Sequence, residues 1–150
     1  MIPELDKHGL LPPGVWPCTL AEVSNRFATS PHRRHLWRGL RRFIRSQLPA
    51  VPGVVSLYLD GSYTTSEERP NDIDVVADLV GVDHVEALLQ VFRASLIRAQ
   101  FKHRFGVDFW LRHPDLPADP AATFQQVGPP RAAQLGLHPD HPKGILKVRP

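Results

Sequence analysis

Leu57-Tyr58-Leu59-Asp60-Gly61-Ser62 and, after nine intervening residues, Asp72-Ile73-Asp74-Val75-Val76 are the two stretches that organise this 150-residue chain. The first is an apolar run that ends in a Gly-Ser turn. The second is an apolar run that opens with two carboxylates two positions apart. In a strand, residues i and i+2 share a face and lie about 6.5 Å apart, so Asp72 and Asp74 would point the same way. Two such carboxylates repel, and a hard divalent cation with oxygen ligands relieves the repulsion, Mg²⁺ first among the candidates. Phosphate gives the metal a reason to be there. Gly61 lets the backbone turn sharply and approach a ligand, and the turn after Ser62 offers free N–H groups to an anion, so Gly61 and Ser62 are the expected phosphate seat.

A third strand is expected over Phe105 to Leu111, with Val107, Phe109 and Leu111 on one face and Asp108 and Trp110 on the other. An acid in the middle of an apolar strand needs a reason beyond solubility. Asp108 is therefore the candidate third metal ligand, completing a two-metal site for in-line displacement at phosphorus. Arg69 lies in the polar loop between the first two strands and is a candidate phosphate contact. Asp60, just ahead of the turn, reads as a strand-end cap.

Helices fill the intervals. Thr19 with Glu22 fits a capping box for a helix Thr19 to Phe27. Ser30-Pro31 starts a second helix, in which Leu36, Leu40, Phe43, Ile44 and Leu48 recur on one face and arginines occupy the other. Val82, Val85, Leu88, Leu89, Phe92 and Leu96 show helical spacing from about Asp83 to Gln100. The order helix, strand, strand, helix, strand predicts an α+β fold with a small mixed β-sheet flanked by helices. The organisation expected is one domain: an extended lead-in and short helix over 1–30, a core over 31–112 and a Pro-rich extended segment over 113–150. Within the last, Lys143 to Arg149 alternates basic and apolar residues and suggests an edge strand or a segment docked on a partner.

Composition fits a globular chain, with 42% hydrophobic and 22% charged residues; sixteen prolines gather near both ends and between elements. The single cysteine, Cys18, cannot form an internal disulfide, and no apolar run approaches the roughly 18–20 residues of a membrane span. A cytoplasmic protein with no membrane partner is the expectation. The net charge is +3, but Arg34, Arg38, Arg41, Arg42 and Arg45 crowd one helix, which suits RNA phosphates or an acidic partner protein as well as a solvated face. The histidines show no zinc spacing, and Trp37 and Trp110 read as core.

Gly61-Ser62, Asp72-Ile73-Asp74 and Val107-Asp108-Phe109 resemble the signature of the DNA polymerase beta-like nucleotidyltransferase superfamily, in particular its minimal members. More narrowly, Leu11-Pro12-Pro13-Gly14, His32-Arg33-Arg34, Glu68-Arg69-Pro70-Asn71-Asp72 and Lys143-Gly144-Ile145 resemble a bacterial family of unknown function with that fold. The resemblance implies a nucleotidyltransferase fold and Mg²⁺-dependent (or Mn²⁺-dependent) transfer of a nucleoside monophosphate from an NTP to a hydroxyl. Asp72, Asp74 and Asp108 would be the metal-binding and catalytic residues, and Gly61, Ser62 and Arg69 the nucleotide-binding ones. Acceptors in the superfamily include aminoglycosides, RNA or DNA ends and protein side chains, and several minimal members belong to toxin-antitoxin or phage-defence modules. The chain lacks the large helical acceptor domain of antibiotic-modifying and RNA-tailing members. A macromolecular acceptor, protein or RNA, is the leading expectation, and a catalytically silent antitoxin or partner-binding subunit the alternative.

Overall fold

The computed structural model describes all 150 residues. Its framework is five strands, β1 (Gly14–Pro17), β2 (Val54–Asp60), β3 (Ile73–Leu79), β4 (Val107–Arg112) and β5 (Gly144–Val148). Five helices accompany them: α1 (Leu20–Phe27), α2 (Pro31–Ser46), α3 (His84–Phe105), α4 (Pro120–Thr123) and α5 (Pro129–Leu135). One sheet holds the strands in the order β1-β5-β2-β3-β4. β2 runs antiparallel to both β3 and β5, whereas β3 and β4 are parallel, as are β1 and β5. The fold is α+β with a mixed sheet. The parallel pair requires a crossover, and α3 supplies it.

Local signals set the helix starts. The Thr19 hydroxyl accepts the Glu22 backbone N–H while Glu22 accepts the Thr19 N–H at 2.8 Å, a complete capping box. Ser30 caps α2 with Pro31 in its first turn, and Asp83 caps α3. α3 continues five residues beyond the expected Gln100, to Phe105, where Gly106 closes it with φ +66°.

The sheet divides its side chains between two cores. Leu57, Leu59, Val75, Ala77, Phe109 and Leu146 face α1, α2 and α3, with Phe43 at the centre and its ring 5.0 Å from those of Phe101 and Phe109. On the opposite face Tyr58, Val76 and Ile145 pack with Ala121 and the half-buried Trp110 and Phe124. Each large apolar side chain so enclosed contributes about 1.5–3 kcal/mol. Trp37 is half-buried against the main core.

Three expectations need correction. The basic-apolar run at the C-terminus is not an edge: β5 lies between β1 and β2, with Gly144, Ile145, Leu146 and Val148 buried, so the 1–30 and 113–150 segments both complete the sheet rather than flank a 31–112 core. Alternation misled because Lys147 emerges on the small-core face, 3.9 Å from Asp78, and not into open solvent. Second, Arg33 does not belong to the exposed arginine face. It is 5% exposed, donates to the carbonyls of Phe27, Tyr63 and Glu67, and stacks 4.7 Å from the Tyr63 ring, latching the loop after β2 to α2. Third, the apolar residues whose spacing identified α3 point away from the sheet: Val85, Leu88, Leu89, Phe92 and Leu96 are all exposed. The inward face is made of Ala87, Gln90, Ala94 and Phe105, with the half-buried Val91 and Phe101 packed beside them. No helix is long and apolar enough to cross a membrane.

Candidate functional site

The register of the central strands assembles the carboxylates. Asp60 in β2 is the ladder partner of Asp74 in β3, and Asp74 is the ladder partner of Asp108 in β4. Ladder partners share a face of the sheet, about 4.8 Å apart across adjacent strands. Asp72, two residues before Asp74, joins them. The C-terminal end of β2 and the N-terminal ends of β3 and β4 thus present four acids on the face opposite the main helical core. Neither the main core nor the small one includes them.

Their electrostatics differ sharply. Asp60 is 1% exposed and held by the Lys143 ammonium at 2.5 and 2.6 Å from its two oxygens; Lys143 immediately precedes β5. Burial raises the Asp60 carboxyl to about 6 against the pull of Lys143 and of hydrogen bonds from Gly61 and Thr64. Asp60 is therefore half of a buried ion pair and not a cap. At Asp108 burial opposes ionisation, but bidentate Arg98 and the nearby Lys102 outweigh it and hold the carboxyl below its usual range. The Arg98 guanidinium also lies 3.4 Å over the Trp110 ring, so the arginine is pinned from both sides. Lys102 Nζ sits 2.6 Å from Asp72 Oδ2 and 3.6 Å from Asp108 Oδ2. Hydrogen bonding to Asp72 raises the Lys102 ammonium's pKa.

Asp74 is the exception. Its side chain has no hydrogen bond and no ion pair, though it stands between three other acids. Burial first, then Asp72, Asp60 and Asp108, push its carboxyl up to about 7. Asp74 is thus the one carboxylate of the row that no cation of the chain neutralises by direct contact.

The turn beside it can be built only with glycine. Gly61 has φ +77° and ψ −163°, a conformation L side chains avoid, and a Cβ there would run into the Asp74 carboxylate. Gly61→Ala is expected to destabilise the fold by about 1–3 kcal/mol and to displace Asp74, and by more than Gly81→Ala in denaturant unfolding, because Gly81 shares a positive φ (+78°) but a Cβ there meets no neighbour. After Gly61, Ser62–Thr64 forms a short 3₁₀ turn whose ladder closes through Thr64 N–H to the Gly61 carbonyl and Thr65 N–H to the Ser62 carbonyl. The Ser62 hydroxyl makes no hydrogen bond within the chain.

Of the residues singled out from sequence, Gly61, Ser62, Asp72, Asp74 and Asp108 come together. Arg69 does not join them. It is exposed and lines a separate cleft with Arg26, Ser30 and His32. Four participants had escaped notice: Asp60 as a member of the row, Lys143, Arg98 and Lys102. The signal for the last two was available, as cations at i and i+4 on the helix preceding β4; that for Lys143 was not, since 83 residues separate it from Asp60.

No three acidic, histidine or cysteine side chains converge as they stand on a point where a metal would bind. The donor set nonetheless suits a hard cation. The Lys102 ammonium bridges Asp72 and Asp108 as a cation between them would, and Asp74 waits uncompensated. Comparison with curated proteins and with solved structures finds no match. The family described as "Family of unknown function (DUF6932)" matches residues 3–149, nearly the whole chain. The chain belongs to that family.

Proposed function

We propose that the carboxylate row is the metal and triphosphate site of a nucleotidyltransferase, moving an NMP from an NTP to a hydroxyl of a protein or an RNA. The observation that carries this reading is Asp74, an unpaired acid flanked in register by Asp60 and Asp108 beside a turn that only glycine can make. Asp72, Asp74 and Asp108 are the residues that would hold Mg²⁺ or Mn²⁺, which when bound neutralises charge on the phosphates and polarises the acceptor hydroxyl. Gly61 and Ser62 seat the phosphates: glycine removes the side chain that would block approach, and the free Ser62 hydroxyl donates to a phosphate oxygen. Asp60 with Lys143 fixes the end of β2 so that the turn is held rigidly. The acceptor oxygen attacks the α-phosphorus, the bond from that phosphorus to its bridging oxygen breaks, pyrophosphate leaves, and the hydroxyl proton passes to a carboxylate of the row.

Arg98 and Lys102 change partners in this scheme. Each is a cation now spent on a carboxylate the metal would claim, and each is then free to face the triphosphate. Lys102→Ala is accordingly expected to strengthen Mg²⁺ binding without nucleotide, by about tenfold, and to weaken NTP binding. Calorimetric titration of each ligand separately checks both signs.

The same neutralised pairs support a second reading, a catalytically silent subunit that binds a partner through α2. Arg34, Arg38, Arg42 and Arg45 are exposed along that helix, Arg41 is half-buried, and Arg42 donates to the Arg104 carbonyl. Incubation of the protein with each labelled NTP, Mg²⁺ and cytoplasmic extract separates the readings. Label on a macromolecule, lost with Asp74→Ala, supports transfer. A stoichiometric partner lost with Arg34→Glu and Arg38→Glu, with no labelling, supports the silent subunit.

A further inference from the structure

α3 inverts the usual distribution of a surface helix. A helix lying on one sheet turns its large apolar residues inward and its polar ones out. Over its first three turns α3 instead places Ala87, Gln90, Val91 and Ala94 inward, with Phe101 and Phe105 joining the core only toward its end, and exposes Val85, Leu88, Leu89, Phe92, Leu96 and Ile97. These six are between 36% and 64% exposed. At a rise of about 1.5 Å per residue the stripe runs roughly 18 Å along the helix. It amounts to apolar surface on the order of 500 Å², at the upper end of the largest patch a monomer carries. Such a patch is large enough to be the apolar centre of a standard interface, about 800 Å² per partner. Between Val85 and Ile97 the outer face carries more large apolar side chains than the inner one, which makes sense when the outer face is also covered.

The geometry points to a second copy of this chain as the cover, its α3 packed antiparallel across a two-fold axis passing between Gln90 and Val91. The stripe is self-complementary about that point. Val85 of one copy then lies opposite Leu96 of the other, and Leu89 opposite Phe92, so that each end of the stripe is filled by its own counterpart. The charges agree with the same arrangement. Glu86 and Arg93 occupy one flank of the stripe at helical spacing, and an antiparallel two-fold brings Glu86 of each copy onto the same side as Arg93 of the other, about 3 Å apart along the helix axis and within reach of the arginine side chain. Arg93 makes no ion pair within its own chain, and Glu86 accepts only from Gln90. The interface does not bury the carboxylate row, because Arg98 and Lys102 leave α3 on the side toward β4. It does immobilise the helix that carries them.

Sedimentation equilibrium of the full chain across concentration tests this. The expected result is a dimer at about 100 µM that dissociates on dilution, and a monomer throughout for Phe92→Glu with an unchanged circular dichroism spectrum. Glu86→Arg and Arg93→Glu are each expected to weaken the dimer about tenfold and, combined, to recover most of its affinity. A wild-type chain that stays monomeric to about 100 µM overturns the proposal. So does a dimer that Phe92→Glu leaves intact, since the copies then meet elsewhere.

Discussion

Asp74→Asn is expected to raise the stability of the metal-free protein while weakening Mg²⁺ binding at least about 100-fold. The two effects share one cause. Asp74 is half-buried beside three acids with no partner, which moves its carboxyl from 3.8 to about 7. A folded-state value above the unfolded one means that the folded chain holds its proton longer. The stability linked to that proton is fully present below about pH 4 and is lost as pH rises through about 7. At about 1.4 kcal/mol per unit, reduced by solvent screening at a half-exposed group, the loss at pH 8 is on the order of 2–4 kcal/mol, and asparagine removes it. Asp60, raised to about 6 by burial, acts with the same sign over a lower window. Asp108 acts with the opposite sign, because Arg98 and Lys102 overcome its burial and hold it low; its contribution is present above about pH 4 and fades as pH falls. Chemical denaturation at pH 5 and pH 8 checks the account: the mutant should gain more at pH 8 than at pH 5. Equal stability at both would mean that Asp74 is ionised and solvated in the folded chain.

Lys143→Met is expected to be the most destabilising single change near the site, by about 3–5 kcal/mol at pH 8. Lys143 is 7% exposed, and its ammonium is the only cation on Asp60, which lies at 1%. Removing it leaves a buried carboxylate whose solvation nothing replaces. The pair is also a long-range clasp, since Lys143 enters β5 and Asp60 ends β2, so its loss should loosen the Gly61 turn. Adding Asp60→Asn is expected to restore more than half of the lost stability, because the uncompensated charge is gone. Thermal unfolding of the two single mutants and the double mutant measures the coupling. A double mutant no more stable than Lys143→Met alone would locate the role of Lys143 in packing and not in charge.

Legibility in the sequence followed the range of the interactions. β2 and β3 appear at the expected residues because their β-branched and aromatic runs end in a glycine turn and in a loop that breaks the pattern. The caps at Thr19 and Ser30 are set within three residues, and they too appear as expected. The acids of the site were visible for the same reason: i, i+2 spacing at Asp72 and Asp74, and an acid in an apolar strand at Asp108. What distance hid was tertiary. β5 occupies the middle of the sheet because β2 has an open edge there, a fact about pairing and not about the alternation of Lys143 to Arg149. Arg33 is buried because three carbonyls from two segments converge on it, and nothing in an arginine-rich helix marks which arginine they will choose. Periodicity identified α3 but could not say which of its faces meets the sheet; small residues there proved to be the inner set. Arg69 illustrates the converse, a residue near the motif in sequence whose loop turns it into another cleft.

Calorimetric titration of ATP, GTP, CTP and UTP in Mg²⁺ into the wild-type chain and into Asp74→Asn tests the assignment of the carboxylate row most directly. The account predicts saturable binding of at least one nucleotide to the wild type, dependent on Mg²⁺ and absent from the mutant. Binding that survives Asp74→Asn unchanged, or no binding of any of the four, would contradict it.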